Sequence, residues 1–296
     1  MAAFATGKGG AYGIGLENKT TVELNSSGRV ESIVNGVDGI GLKLAEHSVK
    51  RALARFEVEF TGAKVTTETD IPQACGLKSS SVAANAIVLA TIGAIAKEKG
   101  EIRERRLSRA RKREEIYVDG ELIRGEEIIN IGVDAAFDAK VTITGALDDA
   151  SAAYLGGYTL TDNLKRKIIY HGGVEETLKV LIHLPEGKIL SGDIKPQKVK
   201  PFAKEIDLVW EEARAGRIYS AITMNGLIHS TIFKQSPEPA LRALEAGAIA
   251  AGLTGTGPAV VALTRDDGRA VREAWEPLGG RIMETRTNNE EAHILR

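Results

Sequence analysis

The sequence predicts a protein built from both α-helices and β-strands. Short alternating or β-branched runs separated by glycine are typical of strands, and they lie at Thr20–Leu24, Val30–Val34 and Phe56–Thr67. An alanine-rich apolar stretch over residues 79–97 has the length of a buried helix. From Ala203 to Ala251 the pattern is helical, and a glycine loop then leads into a strand-like run, Ala259–Thr264.

The other predicted elements follow from the same patterns. A helical stretch is expected near Ile40–Arg55, and Pro72–Leu77 interrupts regular structure before the alanine-rich helix. Ile128–Thr144 is predicted to contain a helix and a strand, and Thr177–Leu184 a strand. The Gly-, Pro- and Lys-containing region Pro185–Pro201 is predicted to be a loop that joins two halves of the chain.

The composition is that of an ordinary globular protein. The 296 residues are 43% hydrophobic and 27% charged, which excludes a disordered or fibrous chain. With 39 Lys+Arg and 40 Asp+Glu, the formal net charge is −1, and this balance argues against a strongly basic or acidic binding surface. Glycine is enriched, because 32 of the 296 residues are glycine, about 11% against ~7% in average proteins. This enrichment favours tight turns and ligand loops.

The cysteine and apolar content indicate a compartment. The single cysteine, Cys75, excludes an internal disulfide, and the five histidines show no zinc-ligand spacing. We therefore expect the reducing cytoplasm. The first residues lack the features of a signal peptide, and the apolar stretch Val82–Ala96 is interpreted as a core helix rather than a membrane segment. No membrane association is expected.

A charged run over residues 101–115 allows two interpretations. Its arginines could form a nucleic-acid or anion-binding patch, or the run could be the solvated face of a helix with paired charges. Glutamates alternate with the arginines, and no aromatic residues are interleaved with them. The solvated helix is therefore the preferred interpretation, and no nucleic-acid partner is expected.

Two common phosphate-binding motifs are absent from the sequence. The Gly-Lys pairs at Gly7-Lys8 and Gly187-Lys188 are not followed by Ser or Thr, so there is no Walker A loop. The glycines after Gly7 also fail the dinucleotide pattern G-x-G-x-x-G. A P-loop kinase and a nicotinamide enzyme of the usual design are therefore excluded.

One loop retains the physical design of a triphosphate site. It consists of Pro72, Gln73, Ala74, Cys75, Gly76, Leu77 and Lys78, followed by Ser79, Ser80 and Ser81. Gly76 permits a close turn, and the helix that starts at the serines offers oriented N–H groups and the positive end of its dipole. The lysine adds a point charge, and the hydroxyls could donate to phosphate or bind Mg²⁺. A plain serine cap on a core helix is the alternative.

Three segments resemble signatures of the GHMP small-molecule kinases, which include galactokinase, homoserine kinase and mevalonate kinase. Residues 72–83 resemble the second signature, P-x-x-x-G-L-x-S-S-x-x-A. Ala5-Thr6-Gly7-Lys8 resembles the N-terminal A-P-G-K segment with Thr6 in place of proline. Thr254, Gly255, Thr256 and Gly257 resemble the C-terminal glycine loop. The resemblance covers residues 5–259, nearly the whole chain.

Within this family the motifs are similar to those of the archaeal type of shikimate kinase. Three segments carry this resemblance: ATGKG, GLKSSS and Asp148-Asp149-Ala150-Ser151. The resemblance implies transfer of the ATP γ-phosphoryl group to the 3-hydroxyl of shikimate, with Mg²⁺, towards chorismate and the aromatic amino acids. Homoserine or mevalonate as acceptor is the alternative within the family. A nucleic-acid-binding protein is the alternative from another class.

The resemblance also implies a fold and a domain division. The fold is α+β, with an N-terminal part like ribosomal protein S5 domain 2 and a C-terminal ferredoxin-like α/β part. We expect the N-terminal ATP-binding domain over residues 1–150 and the C-terminal domain over 151–296.

Site residues are carried over from the family motif by motif. Asp149 is the expected base, and Lys8 the group that lowers its pKa or neutralises phosphate charge. The alternatives are a surface Asp-Asp turn and an ordinary surface lysine. The expected Mg²⁺ ligands are Ser80 and Asp138, with Asp134 as the neighbouring acidic alternative.

Further residues are expected around the substrates. Thr6 and the polar group Thr161, Asp162 and Asn163 are expected to contact the acceptor, with a helix-capping turn as the alternative for that group. The residues of 72–81 and 254–257 are expected to bind ATP. The shikimate carboxylate requires a cation that the sequence does not single out, and Cys75 is interpreted as a packing residue. The oligomeric state is left open.

Overall fold

The computed structural model describes residues 5–106, 112–142, 145, 147–185 and 196–295. Its strands are β1 Lys8–Tyr12, β2 Asn18–Asn25, β3 Val30–Val34, β4 Val37–Asp38, β5 Gly62–Thr69, β6 Gly100–Arg106, β7 Lys112–Val118, β8 Glu121–Ile123, β9 Tyr158–Asp162, β10 Lys167–Gly172, β11 Lys179–Leu184, β12 Ala250–Leu253, β13 Val260–Thr264 and β14 Arg281–Arg286. Its helices are α1 Leu42–Ala54, α2 Ser79–Lys99, α3 Gly125–Asp138, α4 Leu147–Leu155, α5 Ala203–Arg214, α6 Ile218–Phe233, α7 Glu238–Glu245 and α8 Arg269–Trp275.

The described residues form two compact units, each assembled from distant parts of the chain. The first unit contains those within 1–15, 71–79 and 157–289, and the second those within 16–70, 80–156 and 290–296. The division expected at residue 150 follows the linear sequence instead, and it stays a prediction.

The first unit contains two antiparallel sheets. A three-stranded sheet has the order β1-β9-β10, with Lys8 opposite Asp162 and Gly9 opposite Thr161. A four-stranded sheet has the order β12-β13-β11-β14. Helices α7 and α8 cover this second sheet through an apolar core that includes Leu181, Ala243 and Trp275. Trp275 is fully buried, and its indole N–H donates to the carbonyl of Pro239 over 2.7 Å.

The second unit is built around helix α2. Its four-stranded sheet has the order β2-β5-β3-β4, in which β3 and β5 are parallel. The buried side chains of Val49, Val65 and Ile87 join α1, β5 and α2 in one core. Because α2 is apolar on most of its circumference, it has to be buried on most sides. It is also the one described helix whose length and apolar composition would suffice to cross a membrane, and 61% of its most apolar window is buried.

Most predicted elements are found near their expected bounds. The strand predictions at Thr20–Leu24 and Val30–Val34 correspond to β2 and β3, and the helix near Ile40–Arg55 corresponds to α1. The strand predicted over Phe56–Thr67 starts late, because β5 begins only at Gly62 and residues 56–61 are irregular. The helical pattern ends with α7, because Ala250 and Ala251 already pair with β13.

The helix predicted for the charged run over residues 101–115 is wrong. Residues 101–106 and 112–115 belong to an antiparallel hairpin, β6–β7, rather than to a helix. Arg103 lies opposite Glu115, and opposite charges stabilise such a cross-strand pair, whereas Glu104 lies opposite Glu114, which places like charges across from each other. Charge alternation therefore does not distinguish a hairpin from a helix, and residues 107–111 of the run lie outside the described residues.

Two other predicted regions are described only in part. The helix predicted within Ile128–Thr144 is α3, while Ile143 and Thr144 of the predicted strand lie outside the described residues. Of the predicted loop Pro185–Pro201, residues 186–195 also lie outside them. Its last part contains the short 3-10 turns Pro196–Lys198 and Lys200–Phe202.

Candidate active site

The loop before α2 has an unusual backbone. Ala74, Gly76 and Lys78 all have positive φ, at 57°, 84° and 60°. Left-handed residues that alternate with ordinary ones turn successive N–H groups towards one side, which is how backbone concavities bind anions. Helix α2 begins immediately afterwards at Ser79, so its unpaired N–H groups lie next to the loop. The loop and the helix terminus together offer several backbone donors to a phosphate.

The C-terminal glycine loop is a tight turn closed by its own backbone. The N–H of Thr254 donates to the carbonyl of Ala259 over 3.0 Å, and that of Gly257 to the carbonyl of Thr254 over 2.8 Å. Gly255 and Gly257 have φ of 55° and 74°. The Gln235 amide donates to the carbonyl of Thr256 over 3.1 Å, which ties this turn to the residues after α6.

These two loops pack directly against each other within the first unit. A Cβ on Gly76 would lie 2.3 Å from the carbonyl oxygen of Thr254, and a Cβ on Gly255 would lie 2.6 Å from the carbonyl oxygen of Gly76. The N–H of Ala259 donates to the carbonyl of Cys75 over 3.2 Å. Only glycine permits such an approach at both positions. The structure therefore brings together the two segments expected to bind ATP.

Lysine 8 lies beside one face of helix α5. Its Nζ is 2.6 Å from Asp207 Oδ1 and 3.6 Å from Glu211 Oε1. It also lies 4.6 Å from the centre of the Trp210 ring, a cation–π distance. The hydrogen bond to Asp207 raises the pKa of Lys8 above its ordinary value, and burial opposes this rise. Lys8 is therefore a held cation rather than a mobile surface lysine.

The N-terminal motif and the polar group near residue 162 are neighbours. The N–H of Asn163 donates to the carbonyl of Gly7 over 2.8 Å, and the Thr6 hydroxyl accepts from the N–H of Lys8 over 3.3 Å. Thr161 and Asn163 are buried, and the Thr161 hydroxyl donates to Asn163 Oδ1 over 2.7 Å.

This polar group does not cap a helix. Thr161 and Asp162 end strand β9, and the chain turns from there into β10. A backbone hydrogen bond from Lys165 lowers the pKa of Asp162 below its usual range. The helix-capping alternative is therefore wrong for Thr161, Asp162 and Asn163.

Asp149 lies in the first turn of α4, in the second unit. Its neighbour Asp148 is buried, with 4% of its surface exposed, while Asp149 is partly exposed. The next residue, Ala150, has its carbonyl bound by the buried Asn85 amide of α2 over 2.8 Å. The alternative of a surface Asp-Asp turn is wrong, because both residues are helical. Its role as base stays a prediction.

The expected acidic metal ligand lies at the end of α3. Asp138 Oδ2 accepts a 2.6 Å hydrogen bond from Arg51 Nε, which lowers the pKa of Asp138. His47 Nδ1 is 3.8 Å from the same oxygen, and Asp134 lies 3.6 Å from Arg51 Nη1. Both candidate carboxylates thus face a guanidinium. Within the part of the chain that is described, no cluster of three or more His, Cys, Asp or Glu residues could hold a metal.

These residues suit ATP better than they suit Mg²⁺. The loop donors, Lys78 and the serine hydroxyls suit a triphosphate. Ser80 suits Mg²⁺, because this ion takes only one or two protein ligands when phosphates and waters supply the rest. Asp138 is a poorer metal ligand in this conformation, because a metal ion would have to compete with Arg51 for its carboxylate.

Sequence reasoning missed several residues of this region. Asp207, Trp210 and Glu211 share a helix face because they are spaced three and four apart, yet no motif connects them with Lys8. Gln235 likewise carries no motif. A polar pair on an amphipathic helix is common, so only tertiary structure could single these residues out.

Comparison with known families places the motifs in context. The description "GHMP kinases N terminal domain" applies to a family model that matches residues 44–157, and "GHMP kinases C terminal" to one that matches residues 232–278. The shikimate kinase of Methanothermobacter thermautotrophicus is 39% identical over 99% of this chain and 93% of its own. That of Methanothrix thermoacetophila is 40% identical over 99% of this chain and 91% of its own.

Solved structures share the fold at low sequence identity. The mevalonate kinase of Methanococcus jannaschii has a TM-score of 0.70 at 16% identity, over 97% of this chain and 93% of its own. The homoserine kinase of Cytophaga hutchinsonii has a TM-score of 0.62 at 16% identity, over 95% of this chain and 90% of its own. These likenesses agree with the predicted α+β architecture.

Proposed function

This chain belongs to the GHMP kinase family, and from that premise we propose that it transfers the γ-phosphoryl group of ATP to the 3-hydroxyl of shikimate. It is an ATP-dependent small-molecule kinase, and the predicted fold is confirmed by the same family. The archaeal relatives named shikimate kinase, at 39% and 40% identity over nearly the full length, support shikimate as the acceptor.

The packing of the two glycine loops is the observation that carries the proposal. Gly76 and Thr254 meet backbone to backbone, beside the first turn of α2. We assign ATP to the residues 72–81 and 254–257. Backbone N–H groups of the 72–78 loop and the helix terminus would bind the phosphates, and Lys78 would add positive charge.

The acceptor is assigned to four polar residues at and near the N-terminal motif. Thr6, Thr161, Asp162 and Asn163 would contact shikimate hydroxyls. In the reaction, the acceptor oxygen forms a bond to the γ-phosphorus while the bond to the β–γ bridging oxygen breaks, and ADP leaves. Asp149 would accept the hydroxyl proton, and Lys8 would neutralise charge on the transferring group.

Magnesium is assigned to Ser80, with Asp138 as the predicted acidic ligand. When bound, Mg²⁺ would neutralise charge on the β- and γ-phosphates. The residues of the chain then have the task of positioning, which supplies much of the rate enhancement in phosphoryl transfer.

We also assign the enzyme to the cytoplasm, without a membrane or nucleic-acid partner. Arg103 and Arg105 of the hairpin β6–β7 are paired with Glu101 and Glu115.

The test is a coupled ADP-release assay with Mg²⁺ and ATP, in which shikimate, homoserine and mevalonate are offered in parallel at matched concentrations. Turnover confined to shikimate supports the proposal. Turnover with another acceptor keeps the kinase and its ATP site but overturns the substrate. Absence of turnover with all three contradicts the proposal.

A further inference from the structure

Helix α5 presents one face to strand β1 at Lys8. Asp207, Trp210 and Glu211 are three and four residues apart and lie on the same side of the helix. Each of them contacts the N-terminal motif. Asp207 and Glu211 lie 2.6 Å and 3.6 Å from Lys8 Nζ, and Trp210 Nε1 donates to the carbonyl of Gly9 over 2.9 Å.

The contacts of Trp210 fix the geometry of this face. Its indole is buried, with 7% of its surface exposed, and its hydrogen bond to Gly9 joins α5 to the backbone of β1. The Lys8 ammonium lies 4.6 Å from the ring centre. A lysine side chain has many rotamers and holds no single position by itself. The Trp210 ring and the Asp207 carboxylate both contact its ammonium group, which limits the positions that the side chain can adopt.

We propose that Asp207 is a positioning residue of this enzyme, which holds the Lys8 ammonium group in place on the Trp210 ring. The inference rests on the proposed function, in which Lys8 acts on the transferring phosphoryl group. Asp207 acts through Lys8 and is not assigned a contact with substrate. Asp207 lies outside the three family motifs found in this chain.

The charges around Lys8 favour this assignment. Asp207 and Glu211 face it from α5, and Asp162 stands opposite in the register of β9, with its carboxylate engaged by Lys165. Arg214, the next cation on this helix face, lies 6.0 Å from the Trp210 ring centre. Glu211 is more distant than Asp207, so Asp207 makes the dominant ion pair.

The test compares Asp207→Asn with Asp207→Glu and with a matched control, Glu212→Gln. Glu212 lies on the same helix, but its carboxylate is paired with Arg217 over 2.6 Å. For each variant, kcat and the KM values for shikimate and for ATP are measured. Competitive acetylation of Lys8 by acetic anhydride at pH ~9, below the ordinary lysine pKa, is quantified by mass spectrometry, because only the uncharged amine reacts. Thermal unfolding verifies that each variant is folded.

In Asp207→Asn we expect kcat to fall ~10–100-fold, as for a misplaced catalytic group, with the KM for ATP unchanged. Acetylation of Lys8 should rise several-fold, because the ion pair that protects the amine is lost. Asp207→Glu should restore most of both properties, and Glu212→Gln should change neither.

Two results would overturn the proposal: unchanged acetylation of Lys8 in Asp207→Asn, or raised acetylation with an unchanged kcat. If the native chain does not phosphorylate shikimate, the proposed function fails separately. The acetylation ratio still decides in that case whether Asp207 forms the ion pair with Lys8 in solution.

Discussion

Gly76 and Thr254 are 178 positions apart in the chain, yet the Thr254 carbonyl oxygen would lie 2.3 Å from a Cβ on Gly76. The Thr254 hydroxyl also donates to the carbonyl of Gly76 over 3.4 Å. A side chain at residue 76 would separate the two loops to which we assign ATP. Glycine is needed there for this contact and for a φ of 84°.

Gly76→Ala should therefore weaken ATP binding. We expect a loss of stability of ~1–3 kcal/mol from overpacking and backbone strain, together with a raised KM for ATP. Gly247→Ala is the matched control, because Gly247 has a φ of 95° but nothing within 4 Å of the added Cβ. Steady-state kinetics and chemical denaturation measure both effects. Equal KM values in the two variants would contradict the importance of the loop contact.

Asp149→Asn should lower kcat by ~10²–10⁴-fold, the usual contribution of a general base. The amide has nearly the same shape but cannot accept the hydroxyl proton. Asp148→Asn is the comparison, because Asp148 is buried in the same helical turn. Near-normal turnover of Asp149→Asn would refute the assignment as base and leave positioning as the better explanation.

Ser80→Ala should raise the Mg²⁺ concentration that gives half-maximal activity, because it removes one of the few protein ligands expected for this ion. Asp138→Asn tests the acidic ligand in the same titration, and Asp134→Asn tests the alternative carboxylate. A Mg²⁺ requirement unchanged by Asp138→Asn would remove Asp138 from the metal site and leave it as the ion-pair partner of Arg51.

Protonation of His229 should destabilise the protein in acid. This residue of α6 is fully buried, its Nδ1–H donates to the carbonyl of Asn225 over 2.8 Å, and Nε2 has no hydrogen-bond partner among the described residues. Burial lowers its pKa from 6.5 to about 3. Between these values the unfolded state binds the proton more tightly, so stability falls as the pH decreases from 6.5 towards 3.

We expect His229 to contribute a slope of ~1.4 kcal/mol per pH unit within this window. His229→Gln should reduce the slope, because glutamine does not titrate. Urea denaturation of both proteins at several pH values from about 7 down to about 4, across the window between the two pKa values, measures it. Parallel curves for the two proteins would show that another group carries the acid sensitivity.

The backbone of the site could largely be predicted from sequence. Pro72 and Gly76 followed by three serines indicate a strand end, a turn and a helix N-terminus, and these are local properties of the chain. The left-handed conformations of Ala74 and Lys78 could not be predicted, because residues with a Cβ rarely adopt them without support from neighbouring structure. In the structure, the glycine loop packs against two of the residues between them, Cys75 and Gly76.

The charged run shows the limit of pattern reasoning. Alternating Arg and Glu residues can pair along a helix or across a hairpin, and the local sequence does not separate the two. The pairing of β6 with β7 decided the matter. Likewise, strand β1, which contains two adjacent glycines, and strand β14 each pair with a strand that is distant in the chain, β9 and β11 respectively.

The sequence by itself determined which family this chain belongs to, the order of its three glycine-containing motifs and most of its helices, because each of these is written in short contiguous segments. Only the tertiary structure placed Gly76 against Thr254 and Lys8 against Asp207. Contacts between residues so far apart in the chain depend on how whole elements pack, and no local pattern encodes that packing.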